Sequence, residues 1–378
     1  MLRQRAQLSL YERFRDIRWL FVLLVSAIAA IGVAMLYSAA GGSFEPWAVR
    51  QAARFVVALL LMLIVSVTDL RVWVSNAYAI YAVALVLLVV VDVAGSIGMG
   101  AQRWIDLGII NLQPSEVMKI ALVLALARYF HGCETAAVRR PFRLVTPALM
   151  VLVPVGLVLK QPDLGTAGML LLAGLAMFFA AGVALWMFGL AFAAGAAVLP
   201  IAWGMLHDYQ RQRVLTFLDP EADPLGSGYH ILQSKIALGS GGISGKGFLE
   251  GSQAHLNFLP EKQTDFIFTM LAEEFGLIGS LGLLGLYVLV LAYCLAIALS
   301  AKSQFGRLVA FGISATFFLY IFINMGMVMG LIPVVGVPLP LVSYGGTAIL
   351  ALMLGFGLVM CVYVNRNAVI GPHAGGDA

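Results

Sequence analysis

A succession of apolar runs, each close to the length a helix needs to cross a lipid bilayer, constrains this chain more than any other feature. A hydrocarbon core about 30 Å thick takes roughly 20 helical residues at 1.5 Å each. Such runs fall at 19–39, 52–67, 73–93, 114–130, 142–159, 164–181, 185–205, 266–299, 308–331 and 343–364. The composition agrees: 61% of residues are hydrophobic and 11% charged, against about 25% charged in soluble domains. The chain is therefore expected to be an all-α integral membrane protein of about ten transmembrane helices. Its 378 residues form one bundle rather than two or three soluble domains.

The basic residues set the orientation. Arg3, Arg5, Arg13, Arg15 and Arg18 precede the first run, and Arg71 follows the second. Arg139, Arg140 and Arg143 follow the fourth, Lys302 and Arg307 the eighth, and Arg366 the tenth. With ten spans these all lie on one side, which the positive-inside rule makes cytoplasmic. Residues 1–18 and 367–378 then form short cytoplasmic segments around a membrane domain at 19–366. A large extracytoplasmic loop, 206–263, separates the seventh and eighth spans. The first run lacks a small-residue cleavage site and reads as a retained span. The net charge of +4 is spread over short loops, so nucleic acid is not an expected partner. Cys133, Cys294 and Cys361 form no CxxC pair, and no zinc or disulfide framework follows.

The residues with chemical potential gather on the side away from the positive charges. After the third span come Arg103-Trp104-Ile105-Asp106-Leu107-Gly108 and then Gln113-Pro114-Ser115-Glu116 and Lys119. Pro114 suits a first helical turn. Glu116 and Lys119, three apart, share a helix face. They are either an internal ion pair or a substrate contact. In Gln161-Pro162-Asp163-Leu164-Gly165-Thr166, Asp163 can cap the next helix or bind a cation or sugar hydroxyl. Arg211 and Arg213 align only in an extended segment and diverge on a helix; the planar arginine fork suits a phosphate or pyrophosphate, and equally the pair can be solvated or contact lipid headgroups.

Residues 229–238 read as an amphipathic helix able to lie in the membrane interface. Gly239-Ser240-Gly241-Gly242-Ile243-Ser244-Gly245-Lys246-Gly247 misses the Walker pattern at Ser240 and Gly247, so it reads as a flexible turn-rich loop. His207, His230 and His255 have no metal-binding spacing.

The sharpest feature is Leu259-Pro260-Glu261-Lys262-Gln263-Thr264-Asp265, which puts an aspartate at the mouth of the eighth span. Asp265 is an N-cap, a base or a metal ligand. Eight residues later come Glu273 and Glu274, and Asp265 and Glu273 are expected roughly on one helix face, about 12 Å apart. The eighth run exceeds one crossing, so it tilts, protrudes or lines a hydrated cavity. Residues 324–346, with Pro333, Pro338 and Pro340 before Ser343-Tyr344-Gly345-Gly346, cannot form a regular span and read as a re-entrant segment beside a groove.

Taken in order, these blocks resemble the SEDS family of bacterial cell-wall membrane proteins, over roughly residues 15–367. Residues 223–226 and 229–235 look like the family's elongation branch. The resemblance implies a peptidoglycan glycosyltransferase of the bacterial inner membrane that polymerises lipid II at the outer leaflet. Asp265 matches the family's essential aspartate, and Glu116 and Lys119 its buried charged pair. Asp163, Arg211 and Gln233 match polar positions around the cavity, which also takes in Arg103, Arg213, Lys262 and Ser343. The implied reaction is an inverting transfer releasing undecaprenyl pyrophosphate. It can use a divalent cation (Mg2+ or Mn2+), with Asp265 as ligand, and calls for no organic cofactor. The implied partners are lipid II, the nascent glycan strand, a class B penicillin-binding protein, other elongation-complex proteins and membrane lipids. The rival reading is a lipid II flippase, since intramembrane charges also mark transport paths.

Overall fold

The structure is a computed structural model that describes residues 9–98, 101–106, 108, 111–133, 138, 140–205, 208–219, 227–252, 261–368 and 370–371. Ten long helices account for the apolar runs: α2 (Trp19–Ala39), α3 (Ala48–Ser66), α4 (Leu70–Ala94), α5 (Pro114–His131), α6 (Pro141–Lys160), α7 (Leu164–Ala180), α8 (Leu185–Met205), α11 (Ile267–Ser300), α12 (Gln304–Val328) and α13 (Gly346–Val364). Three shorter helices, α1 (Leu10–Arg15), α9 (Asp208–Leu218) and α10 (Ser227–Ser240), complete the described helical set. Among the described residues, seven helices are individually long and apolar enough to cross a membrane. The shorter or charged ones, such as α5 with Glu116 and Lys119, are carried by the rest of the bundle.

α5 sits at the centre, packed on α4, α12, α7 and α6. Nearly all of its side chains are buried, and so are most of those on α12 and α13. α3, α4 and α6 instead present Val56, Val57, Leu60, Val83, Val86, Leu149 and Leu152 outward, as lipid-facing helices do. Both termini of the bundle meet at one end. There Arg18 and Arg366 stack on the Tyr363 ring, and Arg13 donates to the Val67 carbonyl at 3.0 Å. Asp265 lies at the opposite end, called here the site end.

Three features shape the site end: two depart from the expected continuous helices and plain loops, and the third matches the expected re-entrant segment. The first is a small antiparallel sheet after α4, with strands β1 (Ser96–Gly98), β2 (Ala101–Asp106) and β3 (Asn111–Leu112) in that order. It aligns Ile105 with Leu112 and so folds the Arg103 segment back toward the start of α5.

The second is a break in the eighth span. That span is not one tilted helix. Gly276 adopts φ 64° and ψ −156°, a conformation essentially reserved for glycine. An unbroken helix would carry bonds from Leu277 and Ile278 back to the carbonyls of Glu273 and Glu274. Instead Leu277 N–H donates to Gly242 O (2.9 Å) and Ile278 N–H to Ile243 O (3.1 Å). The two orphaned carbonyls accept from Lys246 N–H (3.0 Å) and Gly247 N–H (3.0 Å). The glycine-rich string is therefore a backbone clamp and not a free turn. A Cβ at Gly245 would lie 2.1 Å from the Glu274 carbonyl oxygen. The clamp is locked by Lys246 Nζ, which sits 2.6 Å from Glu273 Oε1 and 2.8 Å from Ser252 Oγ. Glu273 thus belongs to the clamp, while Asp265 precedes the helix, whose first residue is Ile267, so the two carboxylates do not sit on one continuous helix.

The third is the connection at 329–345, which runs without regular structure yet buries Val337, Leu339, Leu341 and Val342. Its backbone is satisfied by side chains and neighbouring loops. Tyr287 OH donates to Pro340 O (2.7 Å), Gln51 Nε2 to Ser343 O (2.8 Å), and Leu339 N–H to Ser343 Oγ (2.7 Å). This is the condition under which irregular backbone survives at membrane depth, and it agrees with the expected re-entrant segment.

Candidate functional site

Asp265 ends the short irregular stretch that leads into α11. It does not cap that helix; the N-cap is Phe266, with no side-chain cap bond. Its main chain is held from two sides. Asn324, fully buried on α12, donates through Nδ2 to Asp265 O (3.1 Å) and to Val337 O (2.7 Å). One residue earlier, Thr264 O accepts from Ser343 Oγ (2.6 Å), and Gln263 O accepts from Tyr344 N–H (2.8 Å). The aspartate is thus fixed to the re-entrant segment. Its partly exposed carboxylate lies beside Gly336, where an added Cβ would come within 3.4 Å of Oδ2.

The re-entrant segment also joins Asp265 to the loop before α7. The start of α7 presses on it so closely that a Cβ at Gly165 would meet Val335 O at 2.5 Å. Asp163 is the N-cap there, accepting from Thr166 N–H (3.1 Å) and Thr166 Oγ1 (3.0 Å). It is also 3.7 Å from Arg103 Nε. Arg103 donates to Pro162 O at 2.8 Å and approaches Gln161 O at 3.5 Å. Gln161 in turn bonds Leu88 O at 3.0 Å. So the cap reading of Asp163 holds together with a charge partner on β2. A partly exposed cation is left at the rim.

Beneath this rim lies the charged pair on α5. Lys119 and Glu116 are 2% and 3% exposed, and Nζ is 2.8 Å from Oε1. A third member, absent from the sequence reading, completes the group: the Tyr320 hydroxyl on α12 bridges Lys119 Nζ and Glu116 Oε2. The Tyr320 ring also stacks under the ammonium at 4.3 Å, and it packs with Met169, Ile323 and Val337. Val337 is the residue whose carbonyl Asn324 holds, so the buried triad and Asp265 share one support.

The remaining expected residues divide. Ser343 is buried and acts as a tie, as described above. Lys262 is half-buried near Asp265 in sequence, and burial lowers its ammonium pKa below the ordinary lysine value. Gln233 is half-buried on α10, whose neighbour Ser234 bonds Thr269 (2.9 Å) and Val328 O (2.8 Å). Arg211 donates its fork to Trp203 O (3.0 Å) and Gly204 O (2.7 Å) at the end of α8. Those donors hold a helix terminus rather than presenting a free fork to a phosphate. The segment 208–218 is helical and not the extended stretch that would align Arg211 with Arg213; the Arg213 side chain lies outside the described residues, as do His207 and His255.

Tyr320 sits among Phe317, Phe318 and Leu319 and carried no signal in the sequence. Asn324, a polar residue in an apolar run, did carry one. Among the described residues no three His, Cys, Asp or Glu side chains converge into a protein-built metal cage. A carboxylate such as Asp265 suits an ion like Mg2+, which keeps waters and takes substrate phosphates as ligands.

Comparison with known proteins gives a consistent result. The family model FtsW/RodA/SpoVE, described as cell cycle protein, matches residues 18–368. Peptidoglycan glycosyltransferase MrdB of Escherichia coli (strain K12) is 46% identical over 352 residues, 92% of this chain and 93% of that protein. Peptidoglycan glycosyltransferase RodA of Treponema pallidum is 31% identical, covering 92% of this chain and 97% of its own length. A solved chain, described under structural coordination of polymerization and crosslinking by a peptidoglycan synthase complex, superposes with a TM-score of 0.80. It is 36% identical, with 93% of this chain and 98% of that one covered. The rod shape determining protein RodA of Thermus thermophilus gives a TM-score of 0.71 at 31% identity, with 93% and 98% covered.

Proposed function

The chain belongs to the FtsW/RodA/SpoVE family of cell cycle proteins, and on that premise we propose that it is a peptidoglycan glycosyltransferase that polymerises lipid II. The observation that carries the reading is Asp265. Its carboxylate is at the site end while its main chain is pinned through Asn324, Ser343 and Tyr344. A base for sugar chemistry has to be held in this way, since misplacement of about 1 Å can cost two orders of magnitude in rate.

In the proposed reaction the 4-hydroxyl of an acceptor GlcNAc attacks the anomeric carbon of a lipid-linked MurNAc. The α-linkage to pyrophosphate breaks and a β-linkage forms. Asp265 accepts the hydroxyl proton, and undecaprenyl pyrophosphate departs. Positive charge at the rim, from Arg103 and Lys262, stabilises the leaving phosphates. A bound Mg2+ or Mn2+ would be held by Asp265 with the substrate phosphates and would supply further positive charge there. The buried Glu116–Lys119–Tyr320 group supports the groove from below.

The basic end of the bundle faces the cytoplasm of a bacterial inner membrane in this reading, with both termini inside and the site end at the outer leaflet. The likeness to a chain from a peptidoglycan synthase complex supports a crosslinking partner, a class B penicillin-binding protein.

The test is Asp265→Asn, purified with its partner and supplied with lipid II. Polymerisation is expected to fall about 100-fold or more, the usual worth of a positioned base. Normal glycan synthesis by this variant would overturn the assignment. A liposome flipping assay on the same protein separates synthesis from transport: continued flipping with lost polymerisation fits the enzyme, and loss of flipping alone fits the flippase.

A further inference from the structure

Arg54 is the feature that neither the fold nor the proposed chemistry has absorbed. It lies on α3, the second span, two turns from its start at the site end. Its guanidinium is partly buried and stacks on the Tyr344 ring at 4.8 Å from the centroid. The same group lies flat against the first residue of α13: a Cβ at Gly346 would come within 3.3 Å of both Cζ and Nε. Among the described residues no carboxylate or carbonyl accepts from it. Arginine carries five donors in a fixed fork, and a partly buried cation normally has an acceptor.

Its placement makes the need for an anion stronger. The first turn of a 19-residue helix carries partial positive charge from its unpaired N–H groups. The N-cap of α13 is Gly345, with no side-chain cap bond. A guanidinium set against this end raises the local positive potential. Thr347, in the same first turn and 3% exposed, buries a hydroxyl with no partner among the described residues. Arg50, one turn outward on α3, is exposed and likewise has no acidic partner among them. The two residues are one turn apart on the helix, so their Cα atoms are separated by about 6 Å along its axis.

The depth and neighbourhood indicate the ligand. Tyr37, Phe44 and Phe248 form an aromatic cluster at this end, with Tyr37–Phe44 ring centroids 4.7 Å apart. Aromatic belts mark the level of lipid headgroups. Tyr344, on which Arg54 stacks, donates its N–H to Gln263 O, two residues from Asp265.

We propose that Arg54 and Arg50, with Tyr344, Gly346 and Thr347, form a binding position for the phosphoryl group of a membrane lipid beside the Asp265 groove. The ligand chemistry is a phosphate or pyrophosphate ester on a long hydrocarbon tail. Assigning it to the lipid-linked sugar donor rests on the glycosyltransferase reading; the anion site itself does not.

The test is native mass spectrometry of the full chain carrying Asp265→Asn, so that no turnover interferes. Undecaprenyl pyrophosphate and phosphatidylglycerol are titrated separately. Arg54→Gln is expected to weaken one of them by about 10- to 100-fold, the range for losing a charge-assisted bidentate contact. Arg54→Lys keeps the charge, loses the fork, and should weaken it less. Loss confined to undecaprenyl pyrophosphate identifies the substrate pyrophosphate as ligand. Loss confined to phosphatidylglycerol identifies a headgroup site. If both lipids bind folded Arg54→Gln as before, the proposal fails. Should Arg54→Gln not fold, Arg50→Gln and Arg54→Lys decide: unchanged binding in both overturns it. Persistent polymerisation by Asp265→Asn would sink the catalytic assignment alone and leave this titration standing.

Discussion

Removing the Lys119 ammonium should damage the protein more than removing the whole charged pair. Lys119 Nζ contacts Glu116 Oε1 at 2.8 Å and also the Tyr320 hydroxyl, all three nearly excluded from solvent. In Lys119→Met the stem volume is kept, but Glu116 retains only the Tyr320 hydroxyl as a partner for a buried carboxylate. Breaking one side of a buried pair costs about 3–5 kcal/mol. The double variant Glu116→Gln/Lys119→Met removes both charges and keeps a hydrogen-bonding partner for Tyr320. Its cost should therefore drop to about 1–2 kcal/mol, that of a rearranged neutral hydrogen-bond set. Cys294 and Cys361 supply the assay, because both thiols are free and buried and react with a thiol-reactive dye only on unfolding. With Cys133 replaced by serine, Lys119→Met should lower the midpoint by at least about 5 °C, and the double variant should recover more than half of the loss. A double variant as unstable as the single one would refute the reasoning, because the lost stability would then come from packing and not from an orphaned charge.

Three further outcomes follow from named contacts. Gly276→Ala should cost about 3 kcal/mol or more, because the added Cβ meets Gly245 N at 2.4 Å in a backbone region closed to alanine; a thermal midpoint like the parent's would refute the break as essential. Asn324→Leu should leave the protein folded but lower the polymerisation rate about tenfold or more by releasing Asp265 O and Val337 O, and unchanged turnover would count against the pinning of Asp265. Lys262 should react with an amine-directed reagent at a lower pH than an ordinary lysine, since burial depresses its pKa. A depressed lysine pKa means that the unfolded chain binds more protons, so burying this ammonium costs stability at lower pH and the cost fades as pH rises from the lowered value toward 10.5; labelling with an ordinary lysine profile would contradict the burial.

Much of this is legible in the sequence, because a membrane makes strong demands on it. Runs of roughly 20 apolar residues admit one interpretation, and ten of them correspond to ten helices with boundaries within a few residues. The Glu116–Lys119 pair followed from a spacing of three on one helix, and the Asp163 cap from its position before Leu164. Local rules suffice for such features, because both partners lie within one helical turn.

Features built from distant partners were not readable. Nothing local says that the carbonyls of Glu273 and Glu274 are met by the N–H groups of Lys246 and Gly247, or that Tyr320, about 200 residues from Lys119, closes the buried triad. The extent of apolar residues past one crossing left a tilt, a protrusion and a hydrated cavity all open. Only the packed structure shows a break at Gly276, since whether a helix bends or ruptures depends on what waits to satisfy the freed backbone. Arg211 shows the same limit from the other side: the sequence left its fork between a phosphate and a solvated or headgroup contact, and only the packed structure shows it donating to Trp203 O and Gly204 O. The sequence by itself determined the membrane-spanning elements and the residues able to carry charge near them. Tertiary structure decided which of those charges meet, because pairing across a bundle depends on distances that no spacing along the chain encodes.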